Sequence, residues 1–195
     1  MQKNRFDQAL QALDALHAAD PKEVAAGAQT LPLELWHAQR MSAWLERIRP
    51  DASETLRLAV RGQHLQRWRV PRSDYPAGRQ GYLSWRRDQG QRAGETTAAL
   101  MRDAGYDPTD AERAAALIRK EGLGTDADTQ SLEDCACLVF LENYFADFSR
   151  RVDHAHMVRI LRKTWRKMSP QAHELALALS MPDDARRLVE EAVSV

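Results

Sequence analysis

The chain lacks long apolar runs. No stretch approaches the ~20 consecutive apolar residues of a membrane-spanning helix, so the sequence predicts a soluble protein. It also lacks net charge. Basic and acidic side chains number 28 each, which argues against bulk attraction to nucleic acid or an anionic membrane. Cysteine is scarce. Cys135 and Cys137 stand two apart in one apolar run, where on a helix they do not face each other and a disulfide would be strained. A secreted disulfide scaffold is therefore excluded, and both read as small core residues. The opening Met1-Gln2-Lys3-Asn4-Arg5-Phe6-Asp7 has basic residues with no apolar segment behind them. That predicts no secretory leader and a cytoplasmic location. A P-loop, His-Glu-x-x-His, Cys-x-x-Cys and Gly-x-Ser-x-Gly are all missing, which removes the commonest signatures of nucleotide hydrolysis, zinc proteolysis, redox and esterase chemistry.

What remains is helical. Alternating β-branched runs are absent, and Leu/Ala/Arg/Glu segments with helical spacing are separated by Pro and Gly. The 195 residues suit a single all-α domain, a helical bundle with one core. The first helix is expected over residues 4–19, with Leu10, Leu13 and Leu16 on its stripe, followed by a loop to Pro32. A second runs to Ile48 and carries Trp36, His37, Met41 and Trp44. A third opens at Asp51 and Glu54 and carries Leu56, Ala59, Val60, His64 and Arg67. Residues 69–81 read as a loop. The fourth helix, 81–104, contains Gly90 and Gly94 and is expected to break or kink there. A fifth runs from Pro108 to Lys120, and Ser131 is the expected cap of a sixth through Phe148. This sixth helix is the most apolar stretch and the predicted core. Three more follow near 153–167, 170–179 and 182–193.

Charge is segregated along the chain. Residues 61–92 carry a balance of +6, residues 150–167 again +6, and residues 103–147 a balance of −8. The second basic run contains Arg162, Lys163 and Arg166 at a helix end, where cations complement the dipole without any ligand. An alternative reading uses these faces to bind an acidic protein or RNA partner.

Three constellations carry candidate chemistry. His37, His64 and Asp134 lie on three different predicted helices, at or beside their apolar faces. Two imidazoles and a carboxylate are a ligand set for a divalent metal. The plainer reading makes them hydrogen-bonded core histidines and a helix-capping carboxylate. The second constellation is the arginine-aromatic run containing Arg61, His64, Arg67 and Trp68. Guanidinium forks match phosphate and indole rings offer stacking faces, although a solvated basic face with buried tryptophan anchors reads equally well. The third is Arg119-Lys120-Glu121 followed by Glu133-Asp134, a helix end and a helix start. Its acidic first turn favours a cation over an anion. Together these give a candidate pocket lined by Arg40, Arg61, His64, Arg67, Trp68, Arg119, Lys120, Glu121, Glu133 and Asp134, with His64, Glu121 and Asp134 as candidate catalytic groups.

Two resemblances follow from these segments. A His early in one helix, a second His 27 residues on and an Asp 70 residues after that resemble the HD-domain metal-dependent phosphohydrolases. That likeness implies an HD-like bundle, a divalent metal held by His37, His64 and Asp134, and a phosphorylated substrate or nucleotide. The chain departs at Leu65, where those enzymes carry a metal-binding Asp. Across nearly the whole chain, the segments Gln39 to Leu45, Gln63-His64-Leu65-Gln66-Arg67-Trp68, Gly81 to Arg86, Leu117 to Leu123 and Leu161 to Ser169 resemble the bacterial and fungal family known as domain of unknown function 4202. This second resemblance implies that Gln-His-x-x-Arg-Trp and Arg-Lys-Glu are shared family features, and it implies no activity.

Overall fold

A computed structural model describes residues 4–194. Met1, Gln2 and Lys3, part of the opening stretch read above for a leader, lie outside them. Among the described residues the chain forms ten α-helices and one two-stranded hairpin. The helices are α1 (Arg5–His17), α2 (Leu33–Ile48), α3 (Glu54–Gly62), α4 (Gly78–Asp103), α5 (Pro108–Ile118), α6 (Ala127–Asn143), α7 (Phe145–Ser149), α8 (His154–Trp165), α9 (Pro170–Leu177) and α10 (Asp183–Val193). Side-chain oxygens of Asn4, Ser53, Asp107, Asp126, Asp153 and Ser169 accept amide hydrogens in the first turns of α1, α3, α5, α6, α8 and α9. Each such cap stabilises its helix by about 1 kcal/mol. None of the helices is long and apolar enough to cross a membrane.

The core gathers around α6, which contacts α2, α3, α5, α7 and α9. Leu132, Cys135, Leu138 and Val139 on α6 are fully buried. They meet Met41 and Leu45 of α2, Leu56 and Val60 of α3, and Leu117 of α5 in one continuous cluster. Both cysteines are free and buried.

Several boundaries differ from expectation, each for a local reason. The expected loop after α1 contains an antiparallel hairpin, β1 (Glu23–Ala26) with β2 (Gln29–Pro32), in register Val24↔Leu31 and Ala25↔Thr30. Gly27, at φ +66°, supplies the positive φ that a two-residue hairpin turn requires at its first position. The third helix does not carry His64 and Arg67 but stops at Gly62. The amides of Gln66 and Arg67, which a continuing helix would use, are captured by the Glu34 carboxylate instead. The sixth helix starts at Ala127, not Ser131, because Asp126 is the cap. Ser131 lies inside it and donates back to the Ala127 carbonyl at 2.8 Å. It ends at Asn143, and α7 follows as a separate turn.

α4 is unbroken over 26 residues despite its glycines. Glycine here serves close packing rather than bending. A Cβ at Gly94 would stand 3.1 Å from the Ala115 carbonyl oxygen and 3.3 Å from its Cα on α5. Gly94→Leu should therefore push α4 from α5 and destabilise the fold by about 2–3 kcal/mol, measured as a lowered urea midpoint with Gly94→Ala falling between the two.

Candidate anion-binding site

The site begins with a carboxylate inside the fold. Glu34, in the first turn of α2, is 6% exposed. Its Oε1 accepts the amide hydrogen of Arg67 at 2.7 Å, and its Oε2 that of Gln66 at 2.7 Å. Oε2 also lies 3.0 Å from His17 Nδ1. The other ring nitrogen, His17 Nε2, lies 2.9 Å from the Arg61 carbonyl oxygen, so both nitrogens of this fully buried ring face acceptors. Glu34 is itself oriented through its own amide, which donates to Asp20 Oδ2 at 3.1 Å. The turn after α3 is thus moulded around one ion. Gln66 adopts the left-handed conformation, φ 54°, which costs a non-glycine residue about 1 kcal/mol.

α4 fastens the same turn from the other side. Gln89 Nε2 donates to the carbonyls of Arg67 and Val70 at 3.0 and 2.7 Å, and Trp85 Nε1 donates to Val70 at 2.9 Å. The Arg67 guanidinium then lies 4.3 Å from the centroid of the Trp85 ring. Its Nη1 donates to His64 Nε2 at 3.0 Å. That bond makes Nε2 the acceptor, so a neutral His64 carries its proton on Nδ1. Burial, then the Arg67 charge, holds His64 well below its ordinary pKa. His37 stacks on His64 with ring centroids 4.6 Å apart, and its Nδ1 lies 3.0 Å from the Tyr144 hydroxyl. Burial, helped by Arg67 and His17, pulls His37 down to about 4. Arg67 has no carboxylate partner among the described residues. Burial also lowers its pKa.

Two cavities meet at His64 and Arg67. One, of about 570 Å³, opens between α4 and the end of α5, with Arg86, Arg87, Arg119 and Lys120 on its wall. The other, of about 440 Å³, lies between α2, the turn after α3 and α6, and is lined by Trp68, Trp85, Phe140 and Tyr144. Lys120 reaches the first from a position where helices usually carry glycine. Its amide donates to the Leu117 carbonyl and that of Glu121 to the Ala116 carbonyl, closing α5, and Lys120 takes φ 61°. Its Nζ pairs with the buried Glu133, which Lys167 also reaches at 3.3 Å. Burial works to raise the Glu133 pKa, but the two ammonium groups outweigh it and hold the carboxyl below its usual range. Burial lowers the Lys120 pKa, with Glu133 opposing.

The other predicted residues divide. Arg119 and Glu121 line the first cavity and pair with each other at 2.6 Å. Arg40 is exposed, with its guanidinium 6.0 Å from the centre of the Trp36 ring. Arg61 is occupied elsewhere, donating to both oxygens of Asp14 at 2.7 and 2.8 Å. Asp134 accepts from the Ser169 amide at 2.9 Å and from Gln130 at 3.0 Å, so it fixes the start of α9. The structure brings His37 and His64 together without Asp134. Among the described residues no group of three or more His, Cys, Asp or Glu side chains could hold a metal ion. The donor set does not fit a divalent cation, since the stacked imidazoles sit against the Arg67 charge.

The family described as domain of unknown function (DUF4202) matches residues 7–189. The chain belongs to this family. No curated protein and no solved structure matches it. The DUF4202 span contains every residue that lines the two cavities.

Sequence reasoning missed Glu34, His17 and Gln89. A signal existed for the first two. Glu34 is in phase with Ala38, Met41, Leu45 and Ile48 on the buried face of α2, and His17 with Ala9 and Leu13 on that of α1. A charged group on an apolar stripe needs a partner inside the fold.

Two outcomes are expected. Glu34→Gln leaves one captured amide without a carboxylate oxygen and should cost on the order of 2 kcal/mol in urea unfolding. Folded His37 titrates at about 4 against 6.5 for the ordinary side chain. The unfolded chain therefore binds the extra proton between these values. Stability should be full above ~6.5 and fall as pH drops toward ~4, by up to about 3 kcal/mol from His37. Unfolding of His37→Gln across that range should show a shallower pH slope.

Proposed function

We propose that this protein binds a phosphorylated small molecule, with its phosphate at Arg67. The observation that carries the reading is an arginine largely out of solvent, braced on Trp85 and His64, whose guanidinium forms no ion pair with a carboxylate among the described residues. A guanidinium in that state is kept where an anion completes it. Phosphate fits better than a lone carboxylate because Arg86, which has no ion-pair partner among the described residues, faces the same cavity as Arg67, and two cations suit an ion of more than one charge. His64 stays neutral beside Arg67 and presents an imidazole to the ligand.

An HD-like ancestry is part of this proposal. The order of His37, His64 and Asp134 along the chain supports it, while Leu65 and the separation of Asp134 from the imidazole pair weigh for binding over metal-assisted hydrolysis. Two free buried thiols fit a reducing compartment, in keeping with a cytoplasmic location. The alternative of an acidic partner rests on Lys163 and Arg166, exposed at the end of α8. The helix dipole already accounts for cations there.

The test is thermal unfolding of the full chain with inorganic phosphate, pyrophosphate and ribose 5-phosphate, since a ligand of the native state raises the melting temperature. At least one should raise it in a dose-dependent manner, with Arg67→Gln weakening the apparent affinity by about tenfold or more. No shift with any compound, or an unchanged response in Arg67→Gln, overturns the reading.

A further inference from the structure

The cavity on the far side of the His64–Arg67 pair has a different chemistry from the basic one. Leu33, Ala136 and Phe140 give it apolar walls, and Trp68 and Tyr144 add broad flat faces. Tyr144 is fixed in place. Its hydroxyl is bonded to His37, and its ring stands edge-on to Trp36 with centroids 6.2 Å apart. At about 440 Å³ the space lies within the range of small-molecule sites, roughly 300–1,000 Å³.

Two buried polar atoms of residues lining this cavity have no hydrogen-bond partner among the described residues: His37 Nε2 and Trp68 Nε1. Buried polar groups are nearly always satisfied, and an unpaired one is costly. The indole nitrogen can only donate. The imidazole nitrogen accepts or donates according to the tautomer that Tyr144 selects. An aliphatic chain would leave both unpaired. A flat ring with nitrogens or carbonyls on its edge would fill the space, stack on the aromatic faces and, once the His37 and Trp68 rings turn toward it, offer partners to both.

We infer that this second cavity is a subsite for a planar heteroaromatic ring, and that the ligand is a nucleotide with its base here and its phosphate at Arg67. The inference rests on the phosphate reading above, and it assigns the aromatic cavity, which that reading leaves unused. Its geometric support is the common wall. Arg67 and His64 border both cavities, so one guanidinium can hold the phosphate of a molecule whose ring occupies the aromatic side.

Calorimetric titration of the full chain with the four common ribonucleoside monophosphates, ribose 5-phosphate and the matching nucleosides tests this. At least one nucleoside monophosphate should bind about tenfold or more tightly than ribose 5-phosphate, because base–aromatic stacking is worth that much. Tyr144→Leu and Trp68→Leu should shrink that ratio toward one. Equal affinities for nucleotides and ribose 5-phosphate on the unaltered chain overturn the ring subsite, and need no variant to fold. Phosphate-dependent binding would then still stand. A nucleoside that binds in a Tyr144-dependent manner while ribose 5-phosphate does not would support the ring subsite and overturn the phosphate reading instead. Absence of binding by every nucleotide and nucleoside overturns the inference.

Discussion

The arrangement around the candidate site depends on one buried carboxylate. Glu34 lies in the first turn of α2, yet its bonds are to the backbone of residues 66 and 67 and to the ring of His17. Three segments far apart in the chain are tied through one ion. A buried carboxylate without such partners would be strongly unfavourable. Two backbone amides and an imidazole satisfy it, and in doing so they end α3, turn Gln66 into the left-handed region and aim Arg67 between the two cavities. Trp85 and Gln89 add bonds from α4. The guanidinium is therefore positioned before any ligand arrives, which lowers the ordering cost of binding.

The same logic explains why charge at the site is unbalanced. Of the cations that line the two cavities, Arg87, Arg119 and Lys120 pair with carboxylates, while Arg67, Arg86, Lys22 and Arg72 have no ion-pair partner among the described residues. The contrast matters more than the number of basic residues, because a paired arginine contributes little field beyond its immediate neighbours. It also separates arginines held in ion pairs from one that is not, where composition alone treats all as equal.

Much of the scaffold was legible in the sequence. Proline and glycine punctuation located the helices, and the apolar density of residues 132–148 pointed to the central one. The hairpin was not legible because Glu23–Ala26 and Gln29–Pro32 are short and without alternating β-branched residues. The end of α3 was not legible either, since local propensity continues through residue 67 and a distant carboxylate overrides it. At the site, His37, His64, Arg67, Trp68 and Lys120 were named, although His64 lies in the turn after α3 and not on the helix expected to carry it. Asp134 does not join the imidazole pair, because position along a helix fixes the face but not what packs against it. Here α9 arrives and takes the carboxylate for its own first turn.

Lys120 carries a consequence for engineering. It sits at the left-handed residue that closes α5, where a stability-driven redesign would write glycine and gain relief of backbone strain. Such a redesign would remove the ammonium group from the basic cavity and leave Glu133 with Lys167 as its remaining cation. Glycine there would relieve the backbone yet take one of two cations from a buried carboxylate, so the strain at this residue is retained by the ion pair it supplies.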